Sequence, residues 1–185
     1  MYRINAINSH VNRLRESKDI VDLLGFYEDD KYYYFGSISR FHQIVKVNSL
    51  LLPTNEMNPR ISNFINIMTQ GDETTLVEIP VTQWHSLLSS ISKAVTKARV
   101  EFTPNQVTIS KADTHSGNAD FNNLTISQLQ GLSSAVVEIN FQYLVQALMF
   151  YKQLKVPNVR VSIRGQMLFL EGDGVKTCIV TRVRD

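Results

Sequence analysis

Apolar residues recur along this chain with two periods, and the order in which the periods alternate is itself repeated. Val136 to Asn140 reads as a short strand. In the segment after it, Phe141, Leu144, Ala147, Leu148, Tyr151 and Leu154 recur at spacings of three and four, which predicts a helix with one buried face up to Leu154. Val159 to Ile163 and Met167 to Leu170 then alternate as two strands about Arg164-Gly165-Gln166, and Gly172-Asp173-Gly174 turns the chain into a last strand, Lys176 to Val183. About sixty positions earlier the same order is met. Leu76 to Ile79 is a strand ended by Pro80, and Thr82 is placed to cap a helix carrying Trp84, Leu87, Leu88, Ile91 and Val95. Arg99 to Phe102 and Val107 to Ser110 form a hairpin about Thr103-Pro104-Asn105-Gln106, and Ala119 to Ile126 supplies a further strand. Val77-Glu78-Ile79 overlies Val137-Glu138-Ile139, and Arg99-Val100-Glu101-Phe102 overlies Arg160-Val161-Ser162-Ile163. The pattern predicts an α+β protein with two β-α-β-β-β repeats, 75–127 and 135–185. One such unit cannot bury both its sheet and its helix, so the two are expected side by side, with the helices on one face of a joined antiparallel sheet.

The N-terminal third is less regular. Val11, Leu14, Val21 and Leu24 have helical spacing, but Ser17-Lys18-Asp19 interrupts them, so Ser9 to Leu24 reads as one broken helix or two short ones ending at Gly25. Lys31 to Phe35 and Phe41 to Val47 are rich in aromatic and β-branched residues and read as strands. Their tyrosines are expected to pack rather than to stack on bases. Leu50-Leu51-Leu52 is a further short strand before the turn chemistry of Pro53 to Pro59. Gln70-Gly71-Asp72-Glu73 marks the main boundary, leaving residues 1–70 as half a unit plus a linker and 71–185 as a complete two-repeat domain.

Bulk composition narrows the chemistry. With 43% hydrophobic and 19% charged residues the chain is expected to be an ordinary soluble protein, and nothing in it reads as a membrane span or a signal sequence, so a cytoplasmic location is expected. The single cysteine, Cys178, reads as a small core residue. A net charge of +2 does not by itself announce nucleic-acid binding. Its distribution is more informative, because no acidic residue occurs between Glu78 and Glu101 or between Glu138 and Glu171, the two helix-bearing stretches. Lys93 and Lys97 are expected on the outward face of the first helix. The second helix turns out an uncharged stripe instead, Gln142, Val145, Gln146, Met149 and Gln153.

Four dispersed histidines have no second ligand at metal spacing, no glycine loop suits a phosphate, and Thr114-His115-Ser116 is turn chemistry rather than a nucleophile with its base. No catalytic residue, metal or cofactor is expected.

A duplicated strand-helix-three-strand unit ending near the C-terminus resembles the last domain of the bacterial sliding clamp, the DNA polymerase III beta subunit family. The resemblance is carried by Val77-Glu78-Ile79 with the Trp84 helix, by Arg99 to Phe102 with Asn105 to Ser110, by Val137 to Leu144 with Ala147-Leu148, and by Asn158 to Ile163. Ile61 to Ile67 is similar, more weakly, to the segment that joins the family's middle and last domains. The resemblance implies a non-catalytic replication and processivity protein that encircles or associates with duplex DNA without sequence specificity, working with DNA polymerase or other clamp-binding proteins as a homo-oligomer. It further implies DNA contacts from Lys93 and Lys97, with Arg13, Lys18 and Lys152 beside them, and a peptide-binding site at Met167, Ile179, Thr181 and Val183. The family carries three domains in each chain, whereas this chain has room for about one and a half, and its end, Thr181-Arg182-Val183-Arg184-Asp185, is polar where the family's is apolar. The alternative reading is a clamp-fold interaction module that binds a full-length clamp or its partners through the Val145/Met149 stripe or the strand edges.

Overall fold

The computed structural model describes residues 2–16, 24–28, 32–37, 43–48, 62–91, 97–111, 124–127 and 131–181. The first helix, α1 (Tyr2–Glu16), begins at Tyr2 rather than at Ser9. Ala6, Ile7, Val11 and Leu14, all buried, extend one apolar stripe along it, and His10 is buried with them. The expected helical run to Gly25 is corrected by β1 (Leu24–Glu28), which pairs in register with β2 (Tyr32–Ser37) from Leu24↔Ser37 to Glu28↔Tyr33. Strand pairing overrides the helical spacing at Leu24, while Val21 lies outside the described residues. β3 (Gln43–Asn48) completes a meander with β2. Leu50 to Leu52 and Ser17-Lys18-Asp19 lie outside the described residues. The linking segment is a helix, α2 (Ser62–Thr69), which was expected only as a connection.

Two units of identical element order follow. In the first, β4 (Thr74–Pro80), α3 (Val81–Ser89), β5 (Lys97–Phe102), β6 (Gln106–Lys111) and β7 (Leu124–Ser127) succeed one another. The second runs β8 (Ala135–Asn140), α4 (Phe141–Gln153), β9 (Asn158–Arg164), β10 (Met167–Gly172) and β11 (Val175–Val180). Asn140 caps α4, its Oδ1 accepting from the Gln142 amide at 3.1 Å. Thr82, expected as the cap of α3, is an exposed residue inside it; the helix starts from Pro80, and the Val81 amide donates to the Pro157 carbonyl at 2.9 Å. α3 is also shorter than its apolar spacing suggests. The Ser90 hydroxyl and amide both donate to the Leu87 carbonyl, closing the helix before Ile91, and Val95 lies outside the described residues.

The joined single sheet is corrected as well. The strands form a seven-stranded sheet, β1-β2-β3-β11-β10-β9-β4, and a separate four-stranded sheet, β7-β6-β5-β8. The units exchange their lead strands: β4 of the first pairs with β9 of the second, and β8 of the second with β5 of the first. Neither unit is then a separable body, which is the physical answer to the surfaces that one unit alone leaves unburied. The N-terminal meander enters the larger sheet through antiparallel pairing of β3 with β11, Val47↔Val175 to Gln43↔Ile179. Between β10 and β11 the chain reverses through Asp173 (φ 48°) and Gly174 (φ 73°), the left-handed pair a tight two-residue hairpin turn needs.

One core is bounded by the inner faces of both sheets and by the helices, with α4 touching α1, α3, β8 and β11. Trp84, Phe141, Phe150, Tyr151 and Phe35 are fully buried. Tyr151 ties helix to sheet, its hydroxyl donating to the Leu170 and Val175 carbonyls at 2.6 and 3.2 Å. A smaller cluster, Tyr34, Ile44, Met68, Phe169 and Cys178, lies apart from that core, with Tyr32, Ile67 and Met167 packed against it. Strand alternation puts it on the outer face of the large sheet, under α2.

Candidate nucleic-acid interface

Three helices stand in a row, α1 and α3 on either side of α4. Each buries one face, and the surface they turn out is polar and almost free of carboxylates. Asn5, Asn8 and Asn12 are exposed on α1, Thr82, Gln83 and Ser86 on α3, and Lys152 on α4, beside half-buried Gln142, Gln146 and Gln153. Glu16, at the end of α1, is the only acidic residue in the three helices. The remaining described carboxylates sit on strands or turns: Glu28, Asp72, Glu73, Glu78, Glu101, Glu138, Glu171 and Asp173.

Two of the five expected DNA contacts come together on this surface. Arg13 spans from α1 to α4, donating from Nη2 to Gln153 Oε1 at 2.7 Å and from Nη1 to Ser9 Oγ at 3.3 Å. Lys152 is the neighbour of Gln153 in α4. His85 of α3 registers both cations: burial, then Lys152, then Arg13, hold its imidazole below the usual histidine range, while Ser89 Oγ lies 3.2 Å from its Nε2. Arg13, Lys152 and His85 therefore share one electropositive region across all three helices. The sequence placed Gln153 only in an uncharged stripe and His85 only among four dispersed histidines, because their relation to Arg13 depends on helix contacts across most of the chain.

Lys97 is placed differently from expectation. It opens β5 instead of lying on a helix, is exposed, and pairs in register with Asn140, the cap at the start of α4. Lys152 lies at the other end of that 13-residue helix, which at about 1.5 Å per residue separates the two cations by most of the helix length. Lys93 and Lys18 lie outside the described residues.

Of the four residues expected to form a peptide site, Met167 and Ile179 lie on opposite faces of the large sheet. Met167 pairs with Val180 and packs against the outer cluster of Phe169 and Cys178. Ile179 pairs with Leu168 in the main core, on the other face of the sheet. Thr181 is buried and its amide donates to the Gln166 carbonyl at 2.8 Å; Val183 lies outside the described residues. Side chains alternate along a strand, so Met167 cannot share a pocket with Ile179. Burial pushes the Cys178 thiol up to about 12, as suits an unreactive packing residue. Val145 and Met149 are half-buried on α4, and Val145 packs against the main core, so the stripe is only partly open.

Among the described residues no cluster of His, Cys, Asp and Glu is arranged to hold a metal ion, and no helix is long and apolar enough to cross a membrane. The fold matches that of solved bacterial DNA sliding clamps. DNA polymerase III subunit beta from Borrelia burgdorferi superposes with a TM-score of 0.64 at 14% identity, over 95% of this chain and 60% of that one. The DNA polymerase sliding clamp from Pseudomonas aeruginosa gives 0.64 at 9% identity over 95% and 65%, and the H. pylori beta clamp 0.61 at 8% over 94% and 63%. The chain thus spans under two thirds of the length of these clamps. Neither a protein-family model nor a curated protein matches the sequence.

Proposed function

We propose that this protein is a sliding-clamp-like, non-catalytic DNA replication factor that associates with duplex DNA through its row of helices and does not read base sequence. The observation that supports this best is the charge sorting across the fold. The helix surface carries Arg13 and Lys152 among asparagine, glutamine, serine and threonine, while among the described residues every acidic residue except Glu16, at the end of α1, lies on a strand or turn. Such a surface offers phosphates two cations and several neutral donors, groups that position a backbone and carry no sequence information. Clamp-like structure at 95% coverage supports the same reading.

With so few cations the intrinsic affinity is weak, since each neutralised phosphate contributes a salt slope of about −0.9. A weak contact suits a protein held on DNA by topology or by a partner. DNA polymerase or other clamp-binding proteins are the partners this reading assigns, with assembly of several copies, in a cytoplasmic setting. The same reading divides the chain into residues 1–70, a partial unit with its linker, and residues 71–185, a complete two-repeat domain.

The test is binding of the full chain to duplex DNA, measured by fluorescence anisotropy over a salt series and by retention on nicked circular against linear DNA. Wild type is expected to bind weakly, with a log–log slope of about −1 to −2 and no preference between unrelated sequences. Arg13→Glu with Lys152→Glu is expected to abolish binding. Association that ignores salt, or that survives the double reversal, would refute the assignment.

A further inference from the structure

Helix α3 carries no Asp, Glu, Lys or Arg, and its one titratable side chain, His85, borders its exposed face. The ring itself is only 7% exposed. Its Nε2 lies 3.2 Å from the hydroxyl of Ser89, which is one turn further along and exposed, while its Nδ1 is buried without a hydrogen-bond partner. Among the described side chains, the charged groups that face this ring are both cations. α4 contributes Lys152, its only charged residue, and α1 contributes Arg13, which reaches over to Gln153. Elsewhere on α1, His10 is enclosed between Phe150 and Phe35, and Arg3 is bound to Asp173. Tyr143 and Tyr151, the other titratable residues of α4, are buried. β4, the strand packed on α3, brings Glu78, which alternates with buried Val77 and Ile79 and so projects from the opposite face of the sheet. Burial first, then Lys152 and Arg13, disfavour the charged form of His85. No carboxylate near it does the reverse.

We propose that His85 and Ser89 form a proton-coupled phosphate site. The ring takes up a proton from solvent when a DNA phosphate settles against Arg13 and Lys152, and the imidazolium then holds Ser89 as a donor to that phosphate. This deepens the assignment of the helix row as the DNA surface, and rests on it. The argument is one of charge and of hydrogen-bond direction. A phosphate offsets the two cations that now oppose a third, and adds an attraction of its own. In the neutral ring Nε2 either donates or accepts, according to tautomer, so the Ser89 hydroxyl can be turned inward as a donor to it. In the imidazolium both nitrogens donate, and Ser89 Oγ accepts from Nε2 while its own proton is directed out of the helix row. A ring that stays within the packed face thereby acts on an anion through an exposed atom. His85 is a positioning residue, and Ser89 makes the contact. Because the bound form holds the ring proton more strongly than the free form, association takes up a proton and tightens as pH falls, by at most about tenfold per pH unit.

Fluorescence anisotropy of the full chain on duplex DNA, at constant salt from about pH 8 to about pH 5.5, tests this, with circular dichroism checking the fold at each pH. Wild type is expected to bind about five- to tenfold more tightly at the acid end. His85→Gln cannot titrate and is expected to lose that gain; Ser89→Ala, an exposed change that leaves the ring in place, is expected to lose most of it. In NMR titrations of the ring protons, duplex DNA should raise the His85 midpoint by about one pH unit, the equivalent of a tenfold change in affinity. Equal pH dependence in wild type and either variant, or a His85 midpoint that DNA leaves unmoved, overturns the proposal and leaves DNA association standing. No binding at any pH overturns both.

Discussion

His10 shows what one residue can impose on this molecule. Its ring lies stacked on Phe150, with centroids 4.4 Å apart and planes at 9°, and edge-on to Phe35 at 6.0 Å. Neither ring nitrogen has a hydrogen-bond partner, although the Gln43 side chain is close enough to favour the proton. Burial, and secondarily the charge on Arg13, lower its pKa from 6.5 to about 3. The folded state therefore binds fewer protons than the unfolded chain between these values. The stability His10 confers is fully present above about pH 6.5 and is lost as pH falls toward 3, with a slope of at most about 1.4 kcal/mol per unit. Urea midpoints measured from about pH 7.5 down to about pH 4.5 should fall steeply for wild type and less so for His10→Leu. Equal slopes would exclude His10 as the source. From the sequence this histidine was legible only as one of four without metal spacing, since its burial is created by α4, far away in the chain.

At the scale of elements, α2 is held by a charged clasp. Arg164, in the hairpin between β9 and β10, donates to the carbonyls of Ile67 and Gln70 and to Asp72 Oδ1 at 2.9 Å. Glu73 accepts from Lys176 at 2.6 Å, and both cations lie about 5 Å from the centroid of the Phe169 ring. The Arg164 hydrogen bond keeps the Asp72 carboxyl below its ordinary pKa. Removing the guanidinium leaves the end of α2 without its main donor and takes from half-buried Glu73 the longer of its two cation contacts, at 3.4 Å. Arg164→Ala should cost about 2–3 kcal/mol and speed hydrogen exchange in α2 before that of β10 or β11, while Arg164→Lys recovers only part, because an ammonium cannot fork between carbonyls and carboxylate. Uniform destabilisation without local exchange would count against the clasp. Helix α2 escaped the sequence reading because its eight residues show too few turns for a period, and its buried Met68 faces an outer cluster that pattern alone does not reveal.

At the scale of the molecule, the seam between the N-terminal meander and the rest is continuous. β3 pairs with β11, α1 packs against α4, and Arg3 bridges Asp173 at the far hairpin. A fragment of residues 71–185 would uncover the β11 edge and the Phe150 face of α4 that His10 now covers. It should be markedly less stable than the full chain, or aggregate, and recover on addition of residues 1–70 in trans. A fragment as stable as the full chain would show that the seam contributes little.

Local pattern was enough for much of this. Alternation in β9, β10 and β11, helical spacing in α4, the hairpin turns, and the repeated element order were all written in neighbouring residues, because steric period and turn chemistry are short-range properties. Those features also carried the resemblance to sliding clamps that the fold bears out. Tertiary structure alone decided which strand joins which sheet, because lead-strand exchange satisfies hydrogen bonds and buries area without altering either unit's local sequence. It also decided that Lys97 belongs to a strand, that Met167 and Ile179 look to opposite sides, and that the charges of Lys152 and Arg13 both reach His85. These are consequences of packing between elements distant in the chain, where periodicity says which face is apolar but not what will cover it.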